Sequence, residues 1–134
     1  MKMPRTADYG LLALTYLALQ GKGRICYRNE IAGRFRISRA MLAKILQRLR
    51  RSGILRSHVG ARGGYSLARP AESISLAEVL GALGVEVRMP RAPRAAGRAG
   101  ERALSSRVAA GLQRVRGDIQ RLFSDVSIAD LVGE

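Results

Sequence analysis

Residues 38–51, SRAMLAKILQRLRR, place apolar side chains at Met41, Leu42, Ile45, Leu46 and Leu49, spacing that lines one side of a helix. The other side is Arg39, Ala40, Ala43, Lys44, Gln47, Arg48 and Arg51. Ser38 is placed to cap this helix and Gly53 to end it. Ile54–Val59 and Tyr65–Ala68 then read as two short strands around the turn Gly60-Ala61-Arg62-Gly63-Gly64. A stiff helix that is apolar behind and cationic in front, followed by a thin cationic hairpin, restricts the fold to a winged helix-turn-helix, mainly α with a small β-hairpin wing.

The remaining elements fit around that pair. Thr6 is a candidate cap for a helix over residues 7–20, which is apolar nearly all round and so requires cover on more than one side, from the domain's core and from a partner subunit. Ile25, Cys26 and Tyr27 form an extended segment, and a small helix over 28–34 turns Ile31 and Ala32 inward. Pro70 stops the hairpin. Ser75 with Glu78 is a capping box that starts a helix carrying Leu76, Val79, Leu80 and Leu83, closed by Gly84. Residues 88–102 hold five arginines among Pro, Ala and Gly, with almost nothing to bury, and read as a loose loop that is either a bystander or an extra phosphate-binding arm. From Leu104 the apolar period returns through Val108, Leu112, Val115, Ile119, Leu122 and Val126, the seam of a long helix. Gly111 and Gly117 weaken its propensity, so packing has to hold it. Pairing with a second copy supplies that packing; folding back on its own winged domain is the alternative. Ser127 and Asp130 suggest a last capped turn. The chain divides into a winged domain at 1–84, a loop at 85–103 and a dimerisation segment at 104–134.

Charge narrows the partner. The 134 residues carry 24 Lys and Arg against 10 Asp and Glu, a net charge of +14, which points to a polyanion. From Arg28 to Arg69 there are eleven basic residues and one acid, Glu30, so the excess sits on the reading head. Double-stranded DNA is the expected partner. RNA is the alternative, although 4% aromatic content offers no stacking platform. A single Cys and a single His give neither a disulfide nor a structural zinc site, and no nucleophile–base or paired-carboxylate motif marks an enzyme. The apolar N-terminal run is too short to cross a bilayer, and no small-residue cleavage motif follows it, so a cytoplasmic protein is expected.

Across residues 3–84 the sequence resembles the Rrf-type winged-helix regulators of bacteria. The marks are TADYGLLALTYLA in the first helix, EIAGRFRIS into the turn, LAKILQRLRRSGIL in the third helix, GARGGYSLARP in the wing and ISLAEVLGALG after it. The resemblance implies a homodimeric transcription factor, with a repressor as the expected role, whose long helices cross and present two reading heads to a pseudo-palindromic operator. It carries over Ser38, Arg39, Ala40 and Ala43 from the recognition helix and Arg62 and Gly63 from the wing. Ala43 departs from the acidic or large polar side chain that members often place there. The expected DNA-contact set is Arg28, Ser38, Arg39, Ala40, Ala43, Lys44, Arg48, Arg51, Arg62 and Gly63. Arg39 is assigned to guanine, Ala40 and Ala43 to thymine methyls, Lys44, Arg48 and Arg51 to phosphates, and Arg62 to a narrowed minor groove. Dimerisation falls to Leu104, Val108, Leu112, Val115, Ile119 and Leu122. Sensing members bind an iron-sulfur cluster through three cysteines between the fourth helix and the dimer helix, an interval that here contains none. Asp8 matches a noncysteine ligand but cannot hold a cluster alone. No cofactor or metal is therefore expected, and a small-molecule or protein effector is the open substitute. Cys26 occupies a small apolar position and reads as a buried thiol. Arg36 stands where relatives commonly have Gly, so a positive φ there would cost about 1 kcal/mol.

Overall fold

The computed structural model describes residues 4–60, 63–86 and 97–133. The helices are α1 (Arg5–Gln20), α2 (Arg28–Phe35), α3 (Arg39–Arg51), α4 (Leu76–Ala82), α5 (Ala99–Asp125) and α6 (Ile128–Val132). The strands are β1 (Cys26–Tyr27), β2 (Leu55–His58) and β3 (Gly64–Leu67), and a 3-10 turn spans Ala71–Ser73. A three-helix unit carrying a small antiparallel sheet is the winged helix-turn-helix that residues 38–69 foretold.

Local chemistry sets most boundaries. The Ser38 hydroxyl accepts from the Met41 amide at 3.2 Å and starts α3. Ser75 and Glu78 cap each other reciprocally, Glu78 N–H to Ser75 Oγ at 3.1 Å and Ser75 N–H to Glu78 Oε2 at 3.0 Å. Ser127 and Asp130 repeat the arrangement at α6, with bonds of 2.8 and 3.1 Å. α1 departs from expectation: it starts at Arg5 behind Pro4, whose carbonyl accepts from the Ala7 and Asp8 amides at 3.0 and 3.4 Å, and not behind a Thr6 cap. α5 begins at Ala99, five residues ahead of Leu104, because Ala99, Glu101, Arg102 and Ala103 are good helix formers and Glu101 sits favourably in the first turn. The proposed loose loop thus ends before residue 99, and residues 87–96 lie outside those described.

The sheet order is β1-β3-β2, with Cys26 opposite Tyr65 and Tyr27 opposite Gly64, and with Leu55 opposite Leu67 through to His58 opposite Gly64. The hairpin was legible, but the pairing of β1 with β3 was not. Beneath the sheet the core gathers Leu14 and Leu17 from α1, Ile31 from α2, Leu42, Ile45, Leu46 and Leu49 from α3, and Ile54, Ile74 and Val79. At Gly10 a side chain would meet Leu83 Cδ1 at 2.5 Å and Ile45 Cγ2 at 3.5 Å, so α1, α3 and the end of α4 converge where a larger residue would make Leu83 shift.

The chain end also belongs to this core. Leu76 N–H donates to Val126 O at 2.8 Å and Ile128 N–H to Ile74 O at 2.9 Å, forming a bridge that lays α6 against α1. Ile128 is fully buried. The segment grouped by sequence with the long helix therefore returns to complete the winged domain. Ile128→Ala should destabilise the protein by about 3 kcal/mol, as for any large core aliphatic. Urea unfolding checks this, and a loss under about 1 kcal/mol would show α6 to be an appendage.

Candidate nucleic-acid interface

The interface is built from α3 outward. Leu42, Ile45, Leu46 and Leu49 are buried, whereas Arg39, Ala40, Lys44, Gln47 and Arg51 are exposed and Ala43 is half-buried. One helix thus holds the core with one face and offers cations with the other. Arg50, absent from the expected set, is also exposed in the last turn. Its place beside the apolar stripe hid it from a reading based on opposite faces.

Arg48 has a structural partner. Its Nη1 donates to the carbonyl of Leu83 at 3.2 Å, at the C-terminal end of α4. That carbonyl has no helical successor, and a guanidinium is well suited to it. At the helix's edge Arg48 therefore clamps α3 to α4, a use that sequence spacing does not reveal because its partner lies 35 residues away.

The wing lies beside α2. Gly63 has φ +59, and its carbonyl accepts from the Arg28 amide at 3.2 Å. The Arg28 guanidinium lies 3.8 Å from where a Gly63 side chain would begin, so Arg28 and Gly63 are brought together. Arg62 falls outside the described residues. Arg56 projects from β2 opposite Ser66, and strand alternation from buried Leu55 is the signal that could have found it. His58 Nε2 lies 2.7 Å from Ser66 Oγ, a bond inside the wing rather than a free imidazole.

The turn between α2 and α3 carries the anticipated strain. Arg36 is the non-glycine residue with positive φ among those described, at φ 53 and ψ 45, and Ile37 N–H closes the turn on Ala32 O at 3.0 Å. Arg36→Gly should raise stability by about 1 kcal/mol, read from urea melts, and no gain would mean that the Arg36 side chain offsets its backbone.

Cys26 is buried in β1, and burial pushes its thiol up, away from the thiolate that redox chemistry needs. Glu30 is held below the usual carboxylate range by the Tyr16 hydroxyl, against the opposing effect of burial. Glu78 is held low chiefly by the Ser75 amide. Both carboxylates are more acidic folded than unfolded, so their stabilisation is present above about pH 4.5 and is lost as pH falls through the folded values. Acid titration of stability should fall away below about pH 4.5, and Glu78→Gln should flatten that fall.

The long helix presents a second surface. Its 27 residues include none that is buried. Leu104, Val108, Val115 and Leu122 are 63, 45, 44 and 62% exposed, while Leu112 and Ile119 are half-buried. On α1, Leu12 and Leu19 are 40 and 66% exposed, and Asp8, Leu11, Leu12 and Thr15 line an open concavity of about 380 Å³.

A winged helix-turn-helix with this cationic helix defines a class of transcriptional regulators. The chain belongs to the Rrf2 family, described as iron-dependent transcriptional regulators, whose profile matches residues 3–134. This is a family of regulators, not enzymes. A candidate helix-turn-helix transcriptional regulator of Mycobacterium tuberculosis, Rv1287 of strain H37Rv, is 39% identical over 80 residues, 60% of this chain and 50% of the relative. The chain thus spans about half the length of the curated relatives it matches. Among solved structures, the global cysteine regulator CymR of B. subtilis superposes with a TM-score of 0.73 at 23% identity, covering 98% of this chain and 96% of that one. IscR of T. potens gives 0.72 at 22% identity over 98% and 86%. Both show the fold.

The family description implies iron, and the donors here do not fit a cluster. The sequence has one Cys, buried in β1, and one His, bonded within the wing. Among the described residues no three His, Cys, Asp or Glu side chains gather as a metal site. No helix among the described residues is long and apolar enough to cross a membrane.

Proposed function

We propose that the protein is a sequence-specific regulator of transcription that binds double-stranded DNA as a homodimer on a pseudo-palindromic operator, represses from it, and does so without an iron-sulfur cluster. The observation that carries this reading is the division of α3, whose apolar face is consumed by the core while Arg39, Ala40, Ala43, Lys44 and Arg51 face away from it. A helix braced in this way fits the major groove without rearrangement.

The roles follow from position. Ser38 starts the helix, and Arg39 in its first turn reaches guanine O6 and N7. Ala40 and Ala43 meet thymine methyls, and their short side chains let the helix axis approach the bases. Lys44 and Arg51 hold phosphates, and Arg48 adds a phosphate contact from the edge it shares with α4. Arg62 is assigned to the minor groove where A·T-rich sequence narrows it, and Arg28, beside Gly63, adds a second cation. The dimer is supported by the exposed stripe Leu104, Val108, Val115 and Leu122, widened by Leu112 and Ile119, because a helix so exposed has no reason to persist alone. The exposed Leu12 and Leu19 of α1 give a second apolar face for the same partner. A small-molecule or protein effector takes the place of the cluster as the signal.

Selection of bound fragments from genomic DNA should return a shared palindrome, and preference for structured RNA over duplex DNA at matched salt would overturn the reading. Arg39→Ala should cost about 1–3 kcal/mol at one base pair, whereas Lys44→Ala should weaken all sequences alike and reduce the salt slope by about one. Arg62→Ala should weaken A·T-flanked operators most. Leu122→Asp with Val115→Asp should convert the dimer to monomers by sedimentation, and a wild-type monomer at micromolar concentration would remove the dimer.

A further inference from the structure

One side chain of α1 touches both ends of α2. The Tyr16 hydroxyl donates to Glu30 Oε2 at 2.6 Å, and the Tyr16 ring meets Phe35 edge-on, centroids 5.7 Å apart at 87°. Glu30 lies in the first turn of α2 and Phe35 is its last residue. Each end leads to a different DNA probe.

At the first end, the other Glu30 oxygen, Oε1, accepts from the Tyr27 amide at 3.2 Å. Tyr27 pairs with Gly64 in the sheet, and the next amide, Arg28, donates to Gly63 O at 3.2 Å. Ile25 Cγ2 stands 2.5 Å from where a Gly64 side chain would begin, so the root of the wing is pressed against this junction. At the second end, Phe35 runs into the left-handed Arg36 and then α3. Wing and recognition helix are thus both referenced to Tyr16, the wing through a charged hydrogen bond and the helix through a ring contact. Such a bond between a phenol and a carboxylate is short and directional, and it fixes an angle that apolar packing leaves loose. The carboxylate held below its usual pKa and the phenol pushed above its own agree with a bond made to the charged carboxylate.

We propose that Glu30, fixed by Tyr16, is a positioning residue that sets the wing relative to the recognition helix, so that α1 governs the spacing of the two probes. This rests on the DNA-binding reading above and adds to it a residue that touches no DNA. A purely local role for Glu30, capping α2, would affect both probes alike.

The test is Tyr16→Phe in the full chain, which keeps the ring on Phe35 and removes the hydroxyl. The ratio of affinities for A·T-flanked over G·C-flanked operators should fall about fivefold, the worth of one such hydrogen bond, while discrimination at the central base pairs is unchanged. In hydrogen exchange without DNA, the Arg28 amide should lose protection while the Leu46 amide keeps it. Glu30→Gln, which retains an acceptor for the Tyr27 amide, should reproduce both results and guards against misfolding of either variant. Equal losses on both flanks, an unchanged ratio, or unaltered exchange at Arg28 would overturn the proposal. If the wild-type chain binds no duplex, the DNA reading falls, and the coupling stands or falls on the exchange at Arg28.

Discussion

The burial of one side of α3 is the constraint on which the rest of the molecule depends. Leu42, Ile45, Leu46 and Leu49 are covered by α1, α2, α4 and the start of β2, and the covering elements have to be placed so that none shields Arg39, Ala40 or Lys44. A helix of this length would not persist in water on its own propensity. Core packing supplies its rigidity, and rigidity lets its outer face recognise a surface without first paying the entropy of ordering.

Two kinds of tie surround that helix. Apolar contacts bring α1, α3 and the end of α4 together at Gly10, where an added side chain would displace Leu83. Directional polar bonds then set orientation: Arg48 to the Leu83 carbonyl, Arg69 to Glu78 at 2.9 Å, and Tyr16 to Glu30. These exposed or half-exposed bonds add little stability, but each joins separate elements of the fold. Their value is angular.

The long helix obeys a different rule. α5 meets α4 and otherwise leaves its apolar stripe uncovered, yet α6 immediately after it is embedded in the core through Ile128. The C-terminal end of α5 is therefore tied to the winged domain, and the exposed stripe runs back from it. That exposed stripe is the surface on which the proposed dimer rests.

The sequence by itself determined what depends on neighbours a few residues apart. Ser38, Ser75 and Ser127 announced their helices, the alternation after Gly53 announced the hairpin, and the family resemblance, which puts Gly where Arg36 stands, raised the left-handed turn that Arg36 adopts. The division of α3 into core and cationic faces was legible for the same reason, since helical period is a local property. Tertiary structure alone decided the pairing of β1 with β3, the return of α6, the clamp of Arg48 on Leu83 and the reach of Tyr16 to Glu30. Each joins partners that no periodicity relates, and each is selected by which surfaces are left to cover once the local elements have formed.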